Sequence, residues 1–169
     1  MVEGRCCGAG KGGLDVFSYV GGWGIQAACA GATQVTCVDS SAGAIDSVHH
    51  NAKINGLDNI ETIEGDAFDA LKALCDEKEK FDIVVLDPPA LIPRRRDQKA
   101  GEEAYARLNQ LGLRLLGRDG LLVSASCSMH LSQEQLTDII RGIGRKLDRC
   151  VHLVDQAHHA PDHPVVPVL

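Results

Sequence analysis

Short apolar runs and helix-patterned stretches alternate along this chain almost without a break, and that alternation leaves few folds open. Runs at 14–17, 34–38, 60–64, 82–86, 121–126 and 151–154 read as strands. Between them, residues 24–30, 42–55, 68–76, 102–116 and 132–147 carry helix patterns. Continuous β-branched stretches such as Ile83-Val84-Val85-Leu86 mark strands covered on both faces. Asn55-Gly56 suits a left-handed helix stop, and Ser132 with Gln135 suits a capping box that opens the last helix. Strict alternation predicts an α/β fold: a Rossmann-like, doubly wound, mostly parallel sheet with helices on both faces.

With 169 residues there is room for one domain, expected over 14–169, behind an atypical leader at 1–13. The leader's Gly8-Ala-Gly-Lys-Gly lacks the first glycine and the Ser/Thr of a phosphate loop, because Arg5 and Gly12 stand there. A net charge of −6 argues against a surface coated generally in nucleic acid, while leaving room for a local basic patch. Seven unpatterned cysteines, without a secretory segment, read as reduced thiols of a cytoplasmic protein. No apolar run approaches the ~18 residues that a membrane span requires.

In such sheets ligands sit at the carboxyl ends of the strands. After the first run comes Phe17-Ser18-Tyr19-Val20-Gly21-Gly22-Trp23-Gly24, where Gly21, Gly22 and Gly24 are expected to let backbone approach a ligand. After the second come Asp39 and Ser40, which could cap the next helix but, taken with the glycines, read rather as placed for the hydroxyls of a ribose. After the third come Asp66 and Ala67, suited to an exocyclic amino group and ring edge such as adenine's, or again to an N-cap. After the fourth, Pro88-Pro89 hold the chain extended, so Asp87 is presented with little freedom, as a base-reading or catalytic group should be. After the fifth, Cys127 lies between Ser126 and Ser128 as a candidate nucleophile; Cys29, Cys37 and Cys75 read as inert packing thiols.

Taken together these motifs resemble the class I S-adenosylmethionine-dependent methyltransferases. Asp15-x-Phe17-Ser18-Tyr19-x-Gly21-Gly22, Asp87-Pro88-Pro89, Ser126-Cys127-Ser128 and Asp162-His163-Pro164-Val165 look more narrowly like the bacterial 23S ribosomal RNA 5-methylcytosine methyltransferases. The resemblance covers residue 14 to about residue 165. It implies S-adenosylmethionine as cofactor, with Phe17, Gly21 and Gly22 (and Ser18 and Tyr19 in the same turn) at the methionine side. Asp39 with Ser40 would take the ribose, and Asp66 with Ala67 the adenine. Cys127 would add to cytosine C6 while Asp87, which also borders the cofactor, holds the N3/N4 edge. Ala90 stands where related enzymes carry a second cysteine. The family's RNA-binding domain and its last antiparallel strand are both expected to be missing, which predicts either pairing with a second chain, as in a homodimer, across an open sheet edge, or marginal stability.

Beside the Asp-Pro-Pro turn, Arg94, Arg95, Arg96 and Lys99 form the basic cluster, a candidate contact for ribosomal RNA phosphates. His158, His159 and His163 lack partners at a ligand spacing, so no metal is expected. Three alternatives stay open: an amino-methyltransferase acting on guanine or adenine, a nicotinamide oxidoreductase, and a non-catalytic cofactor- or RNA-binding remnant. The oxidoreductase would need Gly-x-Gly-x-x-Gly and would give Asp87-Pro88-Pro89 no role.

Overall fold

A computed structural model describes residues 12–157. Five strands form one sheet: β1 (Gly13–Val16), β2 (Val35–Asp39), β3 (Ile60–Glu64), β4 (Phe81–Leu86) and β5 (Leu116–Ser124). Their order is β3-β2-β1-β4-β5, and every pairing is parallel. Five helices cross between or follow them: α1 (Gly22–Cys29), α2 (Ala42–Ile54), α3 (Ala67–Asp76), α4 (Gln98–Leu115) and α5 (Gln133–Lys146). The expected Rossmann-like α/β fold is therefore what the chain adopts.

The pattern explains the layers. Leu14 and Val16 of β1, Val84 and Leu86 of β4, Leu71 of α3 and Leu108 and Leu115 of α4 share one aliphatic core cluster. A second cluster joins Ala28 of α1, Val48 of α2 and Val35 and Cys37 of β2. Helix ends follow local chemistry. Ser41, not Asp39, caps α2 by accepting from Ala44 N, and Ser132 with Gln135 completes the capping box of α5. Between Phe81 and Ile83 of β4, the partner residue on β5 jumps from Leu116 to Leu121. Arg149 steadies that irregular entry by donating to the carbonyls of Leu113, Leu116 and Gly117.

Residues 151–157 differ from expectation. The run at 151–154 is no strand: it is exposed and lacks a ladder. Gln133 Nε2 donates to the Ala157 carbonyl and Gln156 Nε2 to Thr137 Oγ1, so the segment lies along α5. Strand propensity needs a partner strand and a surface to pack on, and here the segment has α5 beside it and no strand. Among the described residues no strand is antiparallel, and no helix is long and apolar enough to cross a membrane.

Candidate active site

Winding reverses at β1, with β2 and β3 to one side and β4 and β5 to the other, so the crevice between β1 and β4 is where a ligand site belongs. Register then does the positioning. Val16 pairs with Val38 on one side and with Leu86 on the other. Phe17 is thus level with Asp39 and with Asp87, and the two carboxylates flank the turn that leaves β1.

That turn is built from unusual backbone. Phe17 and Tyr19 adopt φ of 64° and 48°, and Gly21 φ of 83°. Left-handed geometry costs a non-glycine residue roughly 1 kcal/mol, so something must hold it. Tyr19 N donates to Asp39 Oδ2 at 2.8 Å, Ser18 N to the Val38 carbonyl at 3.0 Å, and Gly21 N to the Ser18 carbonyl at 2.7 Å. Asp39 Oδ1 also accepts from Ser41 N at 3.0 Å, leaving each of its oxygens one further lone pair. Ser18 is buried, and its hydroxyl has no partner.

The three glycines divide by role. A side chain on Gly22 would meet nothing within 4 Å, so its backbone is open to a ligand. Gly21 is needed for its positive φ. At Gly24 a Cβ would stand 2.5 Å from Cys37 Sγ, so this glycine serves helix-on-sheet packing rather than the ligand approach expected of it.

Asp15 was legible only as part of a motif, yet it organises the floor. It is 2% exposed; Oδ2 accepts from Gly24 N at 2.8 Å, while Oδ1 has no partner. Burial above all, with smaller contributions from the charges of Asp87 and Asp39, pushes its carboxyl up to about 6 against the lowering effect of the Gly24 bond. Three carboxylates therefore converge here. A site so charged suits a ligand carrying positive charge.

Asp66 caps α3, its Oδ1 accepting from Phe68 N and Asp69 N, while Ala67 is buried beneath and Ser40 is exposed. Asp87 is exposed, and its Oδ2 accepts from the indole N–H of Trp23 at 3.2 Å. Cys127 is exposed, its thiol directed at the Pro88 carbonyl 3.8 Å away. The loop carrying it is pinned from below. Buried Tyr105 shares its hydroxyl with Ser126 Oγ at 2.8 Å and Ser128 Oγ at 2.9 Å, and Ile92 N donates to Ser128 Oγ at 3.1 Å. Asp87, Pro88 and Cys127 are thereby brought together. Trp23 and Tyr105 were missed from the sequence; an aromatic inside a glycine turn was the available signal for the first.

Arg94, Arg95, Arg96 and Lys99 are exposed around a 3-10 turn at Arg95–Asp97. Among the described residues no group of three or more His, Cys, Asp or Glu could hold a metal. His158, His159 and His163, the Asp162-His163-Pro164-Val165 motif and the leader at 1–11, with its adjacent Cys6 and Cys7, lie outside the described residues.

Known proteins share this chain's fold. The ribosomal RNA large subunit methyltransferase I of Klebsiella pneumoniae is 36% identical over 155 residues, which is 90% of this chain and 39% of that protein. The chain thus spans about two fifths of the length of the relatives it matches. The S-adenosylmethionine-dependent methyltransferase of Agrobacterium tumefaciens superposes with a TM-score of 0.66 at 25% identity, over 78% of this chain and 43% of that one. SMU.776, solved as a complex with SAH, superposes at 0.67 and 25% identity, over 76% of this chain and 34% of that one. Over residues 4–133 the sequence matches the family described as conserved hypothetical protein 95, and with its Rossmann-like methyltransferase fold the chain belongs to that family.

Proposed function

We propose that this chain is an S-adenosylmethionine-dependent methyltransferase domain acting on ribosomal RNA, at cytosine C5 through Cys127. The relatives named above support the class of reaction, the cofactor and the RNA. One observation carries the finer reading: an exposed thiol rests against the Asp-Pro-Pro turn at the ligand crevice, on a loop fixed from beneath by Tyr105.

The residues present fit the cofactor. The open backbone of Gly22, the φ of Gly21 and the bent path through Phe17, Ser18 and Tyr19 make a concave edge for its methionine end. Asp15, Asp39 and Asp87 offer negative charge to its sulfonium and ammonium groups. Asp39, with Ser40 beside it, keeps lone pairs for ribose hydroxyls, and Asp66 keeps Oδ2 for the adenine amino group above Ala67. When bound, the cofactor supplies an electrophilic methyl group and leaves as S-adenosylhomocysteine.

Cytosine C5 is too weak a nucleophile to take that methyl unaided. Cys127, as thiolate, forms a bond to C6, and the C5–C6 electron pair moves to C5. Asp87 accepts a hydrogen bond from the exocyclic N4 amino group and holds that edge of the adduct, while N3 takes a proton from solvent, returned on release, that neutralises the charge the addition leaves on the ring. Once C5 carries its methyl, the C5 proton leaves, the C5–C6 double bond re-forms and the C6–Sγ bond breaks, freeing Cys127. Ala90, exposed after the two prolines, has no basic group, so the proton passes to solvent.

The test uses ribosomal RNA carrying 5-fluorocytidine, from which the C5 substituent cannot leave. A covalent protein–RNA complex that survives denaturation is expected, and Cys127→Ala is expected to lose it. Full methylation by Cys127→Ala would instead identify an amino-methyltransferase.

A further inference from the structure

Beyond the crevice, a concavity of about 320 Å³ opens between the loop after β4 and the loop after β5, lined by Arg95, Gln98, Met129, His130, Ser132 and Gln135. We infer that it is a second nucleotide subsite, which holds the nucleotide next to the target base, with the phosphate on Arg95 and the base against Met129. The inference rests on the RNA reading given above and refines it.

Its lining is rich in donors and holds no carboxylate. Ser132 Oγ accepts from Gln135 N at 3.1 Å, which leaves its hydroxyl proton to give. Gln135 Oε1 accepts from Ser132 N at 2.8 Å, which leaves its NH₂ group to give. Gln98 Nε2 is turned to Glu102 Oε1 at 2.9 Å, which leaves its carbonyl oxygen free to accept from a ribose hydroxyl or a base edge. Arg95 makes no ion pair with a described residue, whereas its neighbour Arg96 is drawn to Asp97 at 3.8 Å. On a chain of net charge −6, an unpaired guanidinium beside hydroxyl, amide and imidazole donors marks a place for an anion. The volume suits one nucleotide, and Met129, 91% exposed, offers its rim an apolar contact.

Placement decides which nucleotide. The same two loops carry Asp87 and Cys127, and Met129 directly follows Ser128, which Tyr105 and Ile92 fix in place. The concavity is therefore held in constant relation to the thiol. A strand whose target base lies over Cys127 continues into it with its next phosphate. Of the three consecutive arginines only Arg95 lines it, so the basic loop acts through one residue more than through its total charge.

The experiment measures binding of a labelled single-stranded RNA containing one cytidine, over a range of salt, to the whole chain. Arg95→Ala is expected to weaken binding about tenfold and to lower the salt slope by about one, and His130→Ala to weaken it severalfold. Arg94→Ala is expected to cost much less than Arg95→Ala. Arg118→Ala, an exposed control remote from both loops, and S-adenosylmethionine affinity by calorimetry should stay unchanged. Equal losses for Arg94→Ala and Arg95→Ala, or none for Arg95→Ala and His130→Ala, would overturn the subsite. If the parent chain binds RNA with this pattern yet forms no 5-fluorocytidine adduct, the subsite stands and the cytosine-C5 reading falls. A parent chain that binds no RNA removes both.

Discussion

Inside β1, Asp15 sits between Leu14 and Val16 with all three side chains buried, and one of its oxygens unmatched. Its carboxyl, pushed up to about 6 from an ordinary 3.8, holds a proton in the folded chain where the unfolded chain has released it. Stability is therefore fully present below about pH 4, declines as pH rises towards 6, and is level above that. The loss is on the order of 2–3 kcal/mol. Asp15→Asn keeps an oxygen for Gly24 N–H and has no proton to lose, so it should be more stable than the parent at pH 7 and comparable at pH 4. Urea titrations of both proteins across that range check this; two curves that stay parallel would refute it. At this scale the sequence displayed Asp39, Asp66, Asp87 and Cys127 because each stands just past an apolar run. Tyr105 was illegible for a plain reason: its hydrogen-bond partners lie 21 and 23 residues away, where no local pattern reaches; Trp23 was marked by its glycine turn, but its partner lies 64 residues away.

Among the elements, α4 supports the site without touching the crevice, because Tyr105 reaches from its buried face to both serines around Cys127. Tyr105→Phe keeps the packing and removes the shared hydroxyl. Each serine retains one backbone partner, Ser128 N at Ser126 Oγ and Ile92 N at Ser128 Oγ. A cost of about 1–3 kcal/mol is expected. Because Tyr105 positions rather than reacts, the informative readout is a split: adduct formation at 5-fluorocytidine slows about tenfold while S-adenosylmethionine affinity holds. Equal losses in both would reduce Tyr105 to a general core residue. Elements with their own punctuation were the readable ones, as with β3, bounded as expected at Ile60–Glu64, and α5, announced by its capping box. β5 was harder, since its first pairing at Leu116 precedes an irregular Gly117–Gly120 stretch with Asp119 at a φ of 59°. Residues 151–154 read as a strand, yet the segment lies along a helix.

Over the whole molecule, alternation implied a parallel sheet, but the order of its strands is set by which crossovers pack and is written in no local run. The open surface follows from that order. Among the described residues β5 has β4 as its one strand neighbour, and paired Ile83 and Leu121 are 41% and 45% exposed on a common face. Apolar area left this open favours self-association. Light scattering should show mass rising with concentration, and Leu121→Lys should suppress the rise without lowering the melting temperature by more than a few degrees. A parent chain that stays monomeric throughout would count against it. The central place of β1 has one more consequence, which concerns the ribosome that makes this chain. The described strand that leaves the tunnel first needs neighbours on both flanks, and the second flank is β4, which ends at Leu86. Until then the turn that follows β1 is already synthesised but stands beside no Asp87. A nascent chain halted before that point holds one wall of the crevice and lacks the other.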